Sequence, residues 1–325
     1  ANNNFVSAQV INGCAGTVNG TNVAANKEAG EPSHSPDADP GGHSVWYQWE
    51  APSTGNVTIT TAGSGFDTVL AVYTGTSVNA LTSLGKNDDV SPPGDVTSSV
   101  TFSATTGTTY RIAVDGWDSA TGNIALNWSA SNCPPITIDS VAPLAGRASG
   151  GQEVKLSGSF ANLSVVMYGG ISATWTYTNG TSEVTVTTPA HSVGAVNIDL
   201  VPTSGSTVSK VNGFAYLPTV FTDDTLVVGV TPARAQHIIE LRQAVDALRA
   251  VAGLAPAPWT DTLLVPTFSP IRTVHIQELR TYLDGAASSL GYSTQLYTDP
   301  GISSGFVIGR IHIEELRQRI RTIAG

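Results

Sequence analysis

Three triplets of side chains stand out for the chemistry they could do. His237, Glu240 and Arg242, then His275, Glu278 and Arg280, then His312, Glu315 and Arg317 each set a histidine and a glutamate three residues apart. On a helix that spacing puts both groups on one face. Such a pair can ligate zinc or iron, but it supplies only two ligands, so two triplets would have to converge on one ion. The second reading is structural, with each histidine and arginine bonding loop carbonyls or an aspartate and locking one repeat to the next. A third gives the triplets to a partner or glycan. A separate acidic set comprises Asp67, the pair Asp88 and Asp89, and Asp115, at strand ends or in loops. Gathered together they would offer calcium some of the six to eight hard oxygens it takes; taken singly, each would cap its own turn. The only two cysteines, Cys14 and Cys133, bracket a β-rich stretch, and a disulfide between them would tie its ends together.

The triplets belong to a longer phrase. FTDDTLVVGVTPARAQHIIELR starts at Phe221, WTDTLLVPTFSPIRTVHIQELR at Trp259 and YTDPGISSGFVIGRIHIEELR at Tyr297. The aromatic starts are 38 residues apart, as are Arg234, Arg272 and Arg310. A fixed period in that range marks tandem units that bury an apolar face only against one another. Thr231-Pro232 and Ser269-Pro270 read as N-caps with proline at the first helical position. Apolar spacing predicts three helices: Ile238, Leu241, Val245 and Leu248; Val274, Leu279, Tyr282 and Leu283; Ile311, Leu316 and Ile320. The third repeat lacks the cap–proline pair, brings His312 one residue early and ends the chain, so a terminal cap is expected there. Arg317, Arg319 and Arg321 are expected to form a basic end that could meet an acidic surface of another copy.

Residues 1–132 alternate with a period of two, as in Val57 and Ile59, Tyr110, Ile112 and Val114, and Ile124, Leu126 and Trp128. That predicts short half-buried strands in an antiparallel sandwich. Trp46 and Gln48 fall on one face of a strand and Tyr47 and Trp49 on the other, so one pair is core and the other could offer a sugar platform. His34 and His43, in a proline-rich loop, are expected on the surface. Pro134-Pro135 marks a linker to a second β-rich region, 134–217, where His191 reads as structural and Trp175 and Tyr177 share one packed face. Residues 218–325 form the small all-α repeat module. The fold class expected is therefore mainly β: a jelly-roll-like sandwich, an immunoglobulin-like sandwich and a helical end.

Charge narrows the partners. The 325 residues carry a formal charge of −10. Residues 1–216 hold 15 acidic and 6 basic residues, and residues 217–325 hold 10 acidic residues against 9 arginines. An acidic chain repels phosphate backbones, which argues against nucleic acid. No run of 18 apolar residues predicts a membrane span. The start at Ala1 fits removal of a signal peptide, hence an extracellular or cell-surface location. No nucleophile elbow, HExxH, P-loop or GxGxxG at a strand–helix junction occurs, so a protein without catalytic activity is expected.

Two stretches carry family resemblances. SVWYQWEAPSTGNVTITTAGSGFDTVLAVYTG from Ser44, Asn87-Asp88-Asp89 and TTYRIAVDG from Thr108 resemble the bacterial pre-peptidase C-terminal (PPC) domain. That likeness implies a non-catalytic accessory sandwich of exported proteins, some relatives of which bind calcium or matrix polymers. Pro143, Gly146, Gly150-Gly151, Val154, Gly158, Phe160, Pro189, Gly194 and Phe214 are similar to the signature of IPT/TIG immunoglobulin-like domains, usually spacers or interaction surfaces. The repeats resemble three-repeat S-layer homology modules, though shorter and without the usual central pattern. Together these imply a secreted, non-enzymatic surface protein acting in adhesion, anchoring or assembly into a fibre or coat. A polysaccharide-binding accessory protein and the non-catalytic tail of a secreted hydrolase are the alternatives. Calcium is the one cofactor implied, and self-association or a cell-surface glycan the partner.

Overall fold

The computed structural model describes residues 2–203, 206–227, 230–266, 268–303 and 305–325. The architecture is mainly β with three helices at the C-terminal end. The first nine strands are β1 (Gln9–Ile11), β2 (Ala15–Thr21), β3 (Val45–Glu50), β4 (Gly55–Thr60), β5 (Thr68–Thr74), β6 (Thr82–Asn87), β7 (Ser99–Ala104), β8 (Thr109–Gly116) and β9 (Asn123–Ala130). They form two facing sheets, ordered β1-β3-β8-β5-β6 and β2-β9-β4-β7. Alternation decides which side chains fill the space between them. Tyr47, Trp49, Val57, Ile59, Ile112, Val114, Leu126 and Trp128 all point into one core.

Trp46 departs from the two-face expectation. It lies on the far side of β3, yet it is as buried as Tyr47 and Trp49. The N-terminal turn and the loop around residues 31–35 fold over that side and make a second small core of Phe5, Trp46, Ala71, Tyr73 and Ala113. His34 is part of this cover and is buried, contrary to its expected surface position. Its Nδ1 meets the Tyr73 hydroxyl at 2.9 Å, and its ring packs edge-on to Trp46. Glu31 accepts from the Trp46 indole N–H and the Ser44 hydroxyl, both at 2.6 Å. Burial, the largest influence, pushes its carboxyl up, but His34, Ser44 and Trp46 together hold it below the usual range. No aromatic on this strand is left for a sugar.

The next eight strands are β10 (Thr137–Ala142), β11 (Ala145–Arg147), β12 (Glu153–Ser159), β13 (Leu163–Tyr168), β14 (Ile171–Asn179), β15 (Glu183–Thr187), β16 (Gly194–Pro202) and β17 (Val208–Leu217). They hydrogen-bond in the order β10-β12-β15-β14-β13-β16-β17-β11. The ladder folds over at β14, whose first residues pair with β13 and whose later ones pair with β15. Phe160, Tyr168, Val184, Ile198, Phe214 and Tyr216 fill the space enclosed.

The two sandwiches meet at Gly13-Cys14. The Gly13 carbonyl accepts from Trp49 Nε1 (2.8 Å) and Trp128 Nε1 (3.2 Å), while the Cys14 N–H donates to the Ala161 carbonyl of the second sandwich (2.5 Å). Gly13 has φ +88°, and a Cβ there would lie 2.9 Å from that same carbonyl oxygen, so only glycine fits. Cys14 is disulfide-bonded to Cys133, just before the linker prolines.

The helices are α1 (Ala235–Val251), α2 (Thr273–Ser289) and α3 (Arg310–Ala324). Ile238, Leu241, Val245 and Leu248 of α1 face Ile276, Leu279 and Leu283 of α2 and Ile313, Leu316 and Ile320 of α3. The same core takes in Ala145, Ala215 and Leu217, so the helices sit directly on the β11–β17 edge of the second sandwich. Ile311 is exposed instead of buried, and Ile313 takes its place.

Strand direction gives the molecule two ends. β9 runs from Asn123 to Ala130 at the junction, so the ends of β6 and β8 and the start of β5 lie away from it. In the second sandwich β17 ends away from the junction, under the helices. The acidic loops of the first sandwich and the helical module therefore occupy opposite ends.

The disulfide closes a separation of 119 residues, which in the chain-entropy model stabilises by about 5 kcal/mol. We expect both cysteines to resist alkylation in intact protein without reductant. Reduction should lower the melting temperature of the first sandwich by well over ten degrees. Full alkylation without reductant would contradict this.

Candidate functional site

Each repeat opens with a turn of aromatic, threonine and aspartate, and the aspartates Asp223, Asp261 and Asp299 all have positive φ near +50°. An aspartate tolerates that conformation better than most residues. The turn is held first by its own helix. The Thr222, Thr260 and Thr298 N–H groups donate to Glu240 (3.1 Å), Glu278 (2.9 Å) and Glu315 (2.9 Å). The aspartates meet the Nε2 of His237 (3.2 Å), His275 (2.9 Å) and His312 (3.1 Å). On its other edge each imidazole accepts, at Nδ1, the backbone N–H that precedes its helix: Arg234 (3.3 Å), Arg272 (3.2 Å) and Gly309 (3.0 Å). Because Nδ1 accepts from a backbone donor, the proton sits on Nε2 and is donated to the aspartate. All three rings are buried. Burial, then Arg242 and Arg272, push His275 below its ordinary value and favour the neutral ring this geometry requires.

The helix caps are therefore Arg234, Arg272 and Gly309, not Thr231 and Ser269. Those hydroxyls accept instead from the N–H groups of Val227 (3.0 Å) and Val265 (2.8 Å), closing the loops ahead of the helices. The third loop is one residue shorter than the others. Gly309, not Arg310, occupies the cap, and this accounts for the early His312, which is again followed by a buried isoleucine, Ile313, as His237 and His275 are by Ile238 and Ile276.

The turn is held second by the preceding helix. Arg242 donates to the Thr260 (2.6 Å) and Asp261 (3.0 Å) carbonyls and reaches Glu278 (3.3 Å), with its guanidinium 4.8 Å from the Trp259 ring. Arg280 does the same to Thr298 (2.7 Å), Asp299 (3.0 Å), Glu315 (3.5 Å) and the Tyr297 ring (4.6 Å). Arg317 completes the cycle. It turns back to the first repeat, donating to the Thr222 carbonyl (2.7 Å) with its guanidinium 5.0 Å from the Phe221 ring and an ion pair to Glu314 at 3.3 Å. The third repeat is thus not a terminal cap: Arg317 closes the array onto its first turn, through one carbonyl where Arg242 and Arg280 use two. Arg321 adds bonds to the Thr219 carbonyl (3.0 Å) and Asp224 (2.5 Å), and Arg319 bonds the Ser293 carbonyl. Of the expected basic end, Arg317 and Arg319 are buried, and Arg321 is partly exposed with its guanidinium bonded to Thr219 and Asp224.

The acidic set divides. Asp67, Asp88 and Asp89 each present a carboxylate oxygen within 4.8 Å of the other two. One oxygen on each is shielded from solvent and has no hydrogen-bond partner. Burial, then Asp89 and Asp67, and then Asp37 and Asp39, push Asp88 up to about 6; burial and Asp89 raise Asp67. Oxygens that are crowded, shielded and unpaired suit a hard divalent cation. Asp115 does not join them. It is fully buried at the end of β8, and its carboxylate accepts from the N–H groups of Gly42, His43 (2.8 Å) and Gly116 (2.9 Å). It pins the loop over the strand ends. His43 is half-buried and meets the Ala25 carbonyl, and His191 stacks on Tyr216.

Residues 43–116 match the family model of the bacterial pre-peptidase C-terminal domain. This stretch is a PPC domain. PPC domains are common in secreted proteases and other extracellular proteins. No curated protein matches the chain. Among solved structures, the chain is similar to the pre-peptidase C-terminal domain of a Bacillus anthracis collagenase, with 15% identity, 38% of this chain and 94% of that one covered, and a TM-score of 0.25. It is also similar to the plexin A4 extracellular region (12% identity, 52% of this chain and 17% of that one, TM-score 0.25). A third likeness is to the Gamma-CGTase of alkalophilic Bacillus clarkii (16% identity, 54% and 24%, TM-score 0.23). The chain thus spans under a quarter of the length of the last two. Among the described residues no helix is long and apolar enough to cross a membrane.

Removing one partner of a buried charged contact costs about 3–5 kcal/mol. We expect Arg242→Gln, Arg280→Gln and Arg317→Gln to destabilise the helical module by comparable amounts in this range, measured by chemical denaturation. If Arg317→Gln were neutral while the other two were costly, the ring would not be closed.

Proposed function

We propose that the chain is a secreted, non-enzymatic structural protein of the bacterial cell surface, acting by assembly into a fibre or coat, or in adhesion or anchoring. The observation that carries this reading is the closed ring. The nine side chains most suited to chemistry bond turns, carbonyls and one another, which supports a structural use over a metal or catalytic one. The PPC domain supports an extracellular setting. The second sandwich serves in this reading as an IPT/TIG-type spacer joining the acidic end to the ring. A sugar-binding accessory role has less behind it, because Trp46, Tyr47 and Trp49 are all buried. The association of PPC domains with secreted proteases favours one second reading, the non-catalytic part of a secreted hydrolase.

We assign calcium to the Asp67, Asp88 and Asp89 carboxylates. Their three shielded, unpaired oxygens support this, with water and further oxygens supplying the rest of the coordination. The sign of the pH effect follows from Asp88. Its folded value near 6 stands above the ordinary carboxylate value of about 3.9, so the folded state binds the extra proton between them. In chelator, stability should rise as pH falls from about 6 to about 4. At neutral pH, calcium should raise the melting temperature by several degrees. Asp88→Asn should raise it in chelator and abolish the calcium increment. Equal melting with calcium and with chelator removes the ion from the account.

Assembly is read directly by negative-stain microscopy and sedimentation of purified protein, with fractionation of the producing cells. The proposal expects ordered oligomers or filaments, or cell-bound protein. Monodisperse monomer with none on cells would contradict it.

A further inference from the structure

The ring presents a repeated surface that its own packing does not explain. Val230, Phe268 and Phe306 stand 38 residues apart and are 75, 84 and 40% exposed. Each sits on a loop closed by hydrogen bonds. The N–H groups of Val230 and Thr231 donate to the Val227 carbonyl, those of Phe268 and Ser269 to Val265, and that of Phe306 to Ser303, at 2.9–3.2 Å. Four residues beyond each apolar tip come Arg234, Arg272 and Arg310, again exposed; the first two cap their helices and pair with Asp223 and Asp261 of their own turns, and Arg310 opens α3. The loops are neighbours. A groove of 390 Å³ runs between Leu226 and Val227 of the first and Ile308 and Ile311 of the third, and another of 430 Å³ between Pro232 and Ala233 of the first and Pro266 of the second. Apolar side chains held out in water at three related positions, each backed by an arginine, are the makings of an interface.

The same molecule carries the complementary surface at its other end. Beyond the acidic cluster, the loop after β6 exposes Val90 (49%) and Val96 (37%) around Pro92-Pro93. Asp37 and Asp95 are exposed beside it, and residues 1–216 hold most of the negative charge. Apolar tips beside exposed arginines, of which Arg234 and Arg272 also pair with their own turns, match an apolar loop flanked by aspartates on the other face. Charges so arranged steer approach and fix register.

Resting on the assembly reading above, we propose that the Val230, Phe268 and Phe306 tips with their arginines dock on the acidic, apolar-tipped end of the first sandwich of a second copy. Two different faces at opposite ends make the contact heterologous. Repeated without closure, it gives an open filament.

Two exposed-site variants test this. Val230→Ser/Phe268→Ser/Phe306→Ser removes the tips, and Asp37→Lys/Val90→Lys changes the acidic end. Circular dichroism and melting should show both folded like the wild type. Sedimentation velocity, with calcium and with chelator, should show concentration-dependent oligomers for the wild type and monomer for each variant alone. A one-to-one mixture should give dimers and nothing larger, because each variant keeps one working face. If the variants assemble like the wild type, or the mixture stays monomeric, this interface is wrong while assembly itself stands. If the wild type is monomeric at every concentration, both readings fall. Loss of binding to anionic vesicles or insoluble glycan by the tip variant, with assembly unchanged, would give the tips to another occupant and overturn the proposal.

Discussion

The C-terminal module depends on one contact made three times: an arginine buried in one helix reaching into the entry turn of the next repeat. The turn ends on two backbone carbonyls with no partner in their own repeat. Arg242 and Arg280 answer both with the planar fork, Arg317 bonds the Thr222 carbonyl alone, and each lies against the aromatic ring of its turn, which lysine could not do. The glutamate on the following helix binds each turn from the other side; it also balances the charge of Arg242 and Arg280, while Arg317 pairs with Glu314 of its own helix. Because Arg317 bonds the first turn, no repeat is terminal. An open array of three such repeats would leave one arginine buried without an acceptor and one turn unsupported, each at a cost in free energy.

The rest of the module follows from this closure. The histidine that looks like a metal ligand is held between a helix cap and an aspartate, so both its nitrogens are engaged. The arginines that look like a basic tail are engaged within the module, Arg317 and Arg319 buried and Arg321 partly so. What remains for the outside is the set of short loops between turn and helix, and there the chain exposes valine and phenylalanine. The helices rest on the β11–β17 edge of the second sandwich, so the loops are carried on a rigid base, and Gly13-Cys14 fixes the next joint. Asymmetry between the two ends of the molecule arises from strand direction and chain order.

The sequence was readable wherever a period was long enough to measure. Alternation located strands of the first sandwich, a family resemblance outlined the second, and the 38-residue repeat located the three helices and the buried face of the first. It misled where the structure changes register by one residue. In the third repeat the shorter loop moves the cap from Arg310 to Gly309. In both the second and third helices the residue before the histidine, Val274 and Ile311, was read as core, whereas the residue after it, Ile276 and Ile313, is buried. Proline after threonine or serine read as a helix start, because cap chemistry and loop-closing chemistry use the same hydroxyls. The burial of Trp46 and His34 carried no local signal, since the cover comes from Phe5 and the Glu31 loop, far away in sequence. Asp115 looked like Asp67 and Asp88 in the chain; only the approach of Gly42 and His43 assigns its carboxylate to backbone amides. Ring closure has no mark in any single repeat, because it is a relation between the first and the last.

Hydrogen exchange on Arg317→Gln tests that relation most directly. The arginine lies in the last helix, and the turn it holds lies about 95 residues earlier. A closed ring predicts that amides of the Phe221–Thr225 turn and of α1 lose protection together with those of α3. Loss confined to α3, with the first turn as protected as in the unaltered protein, would contradict closure and return the module to an open array.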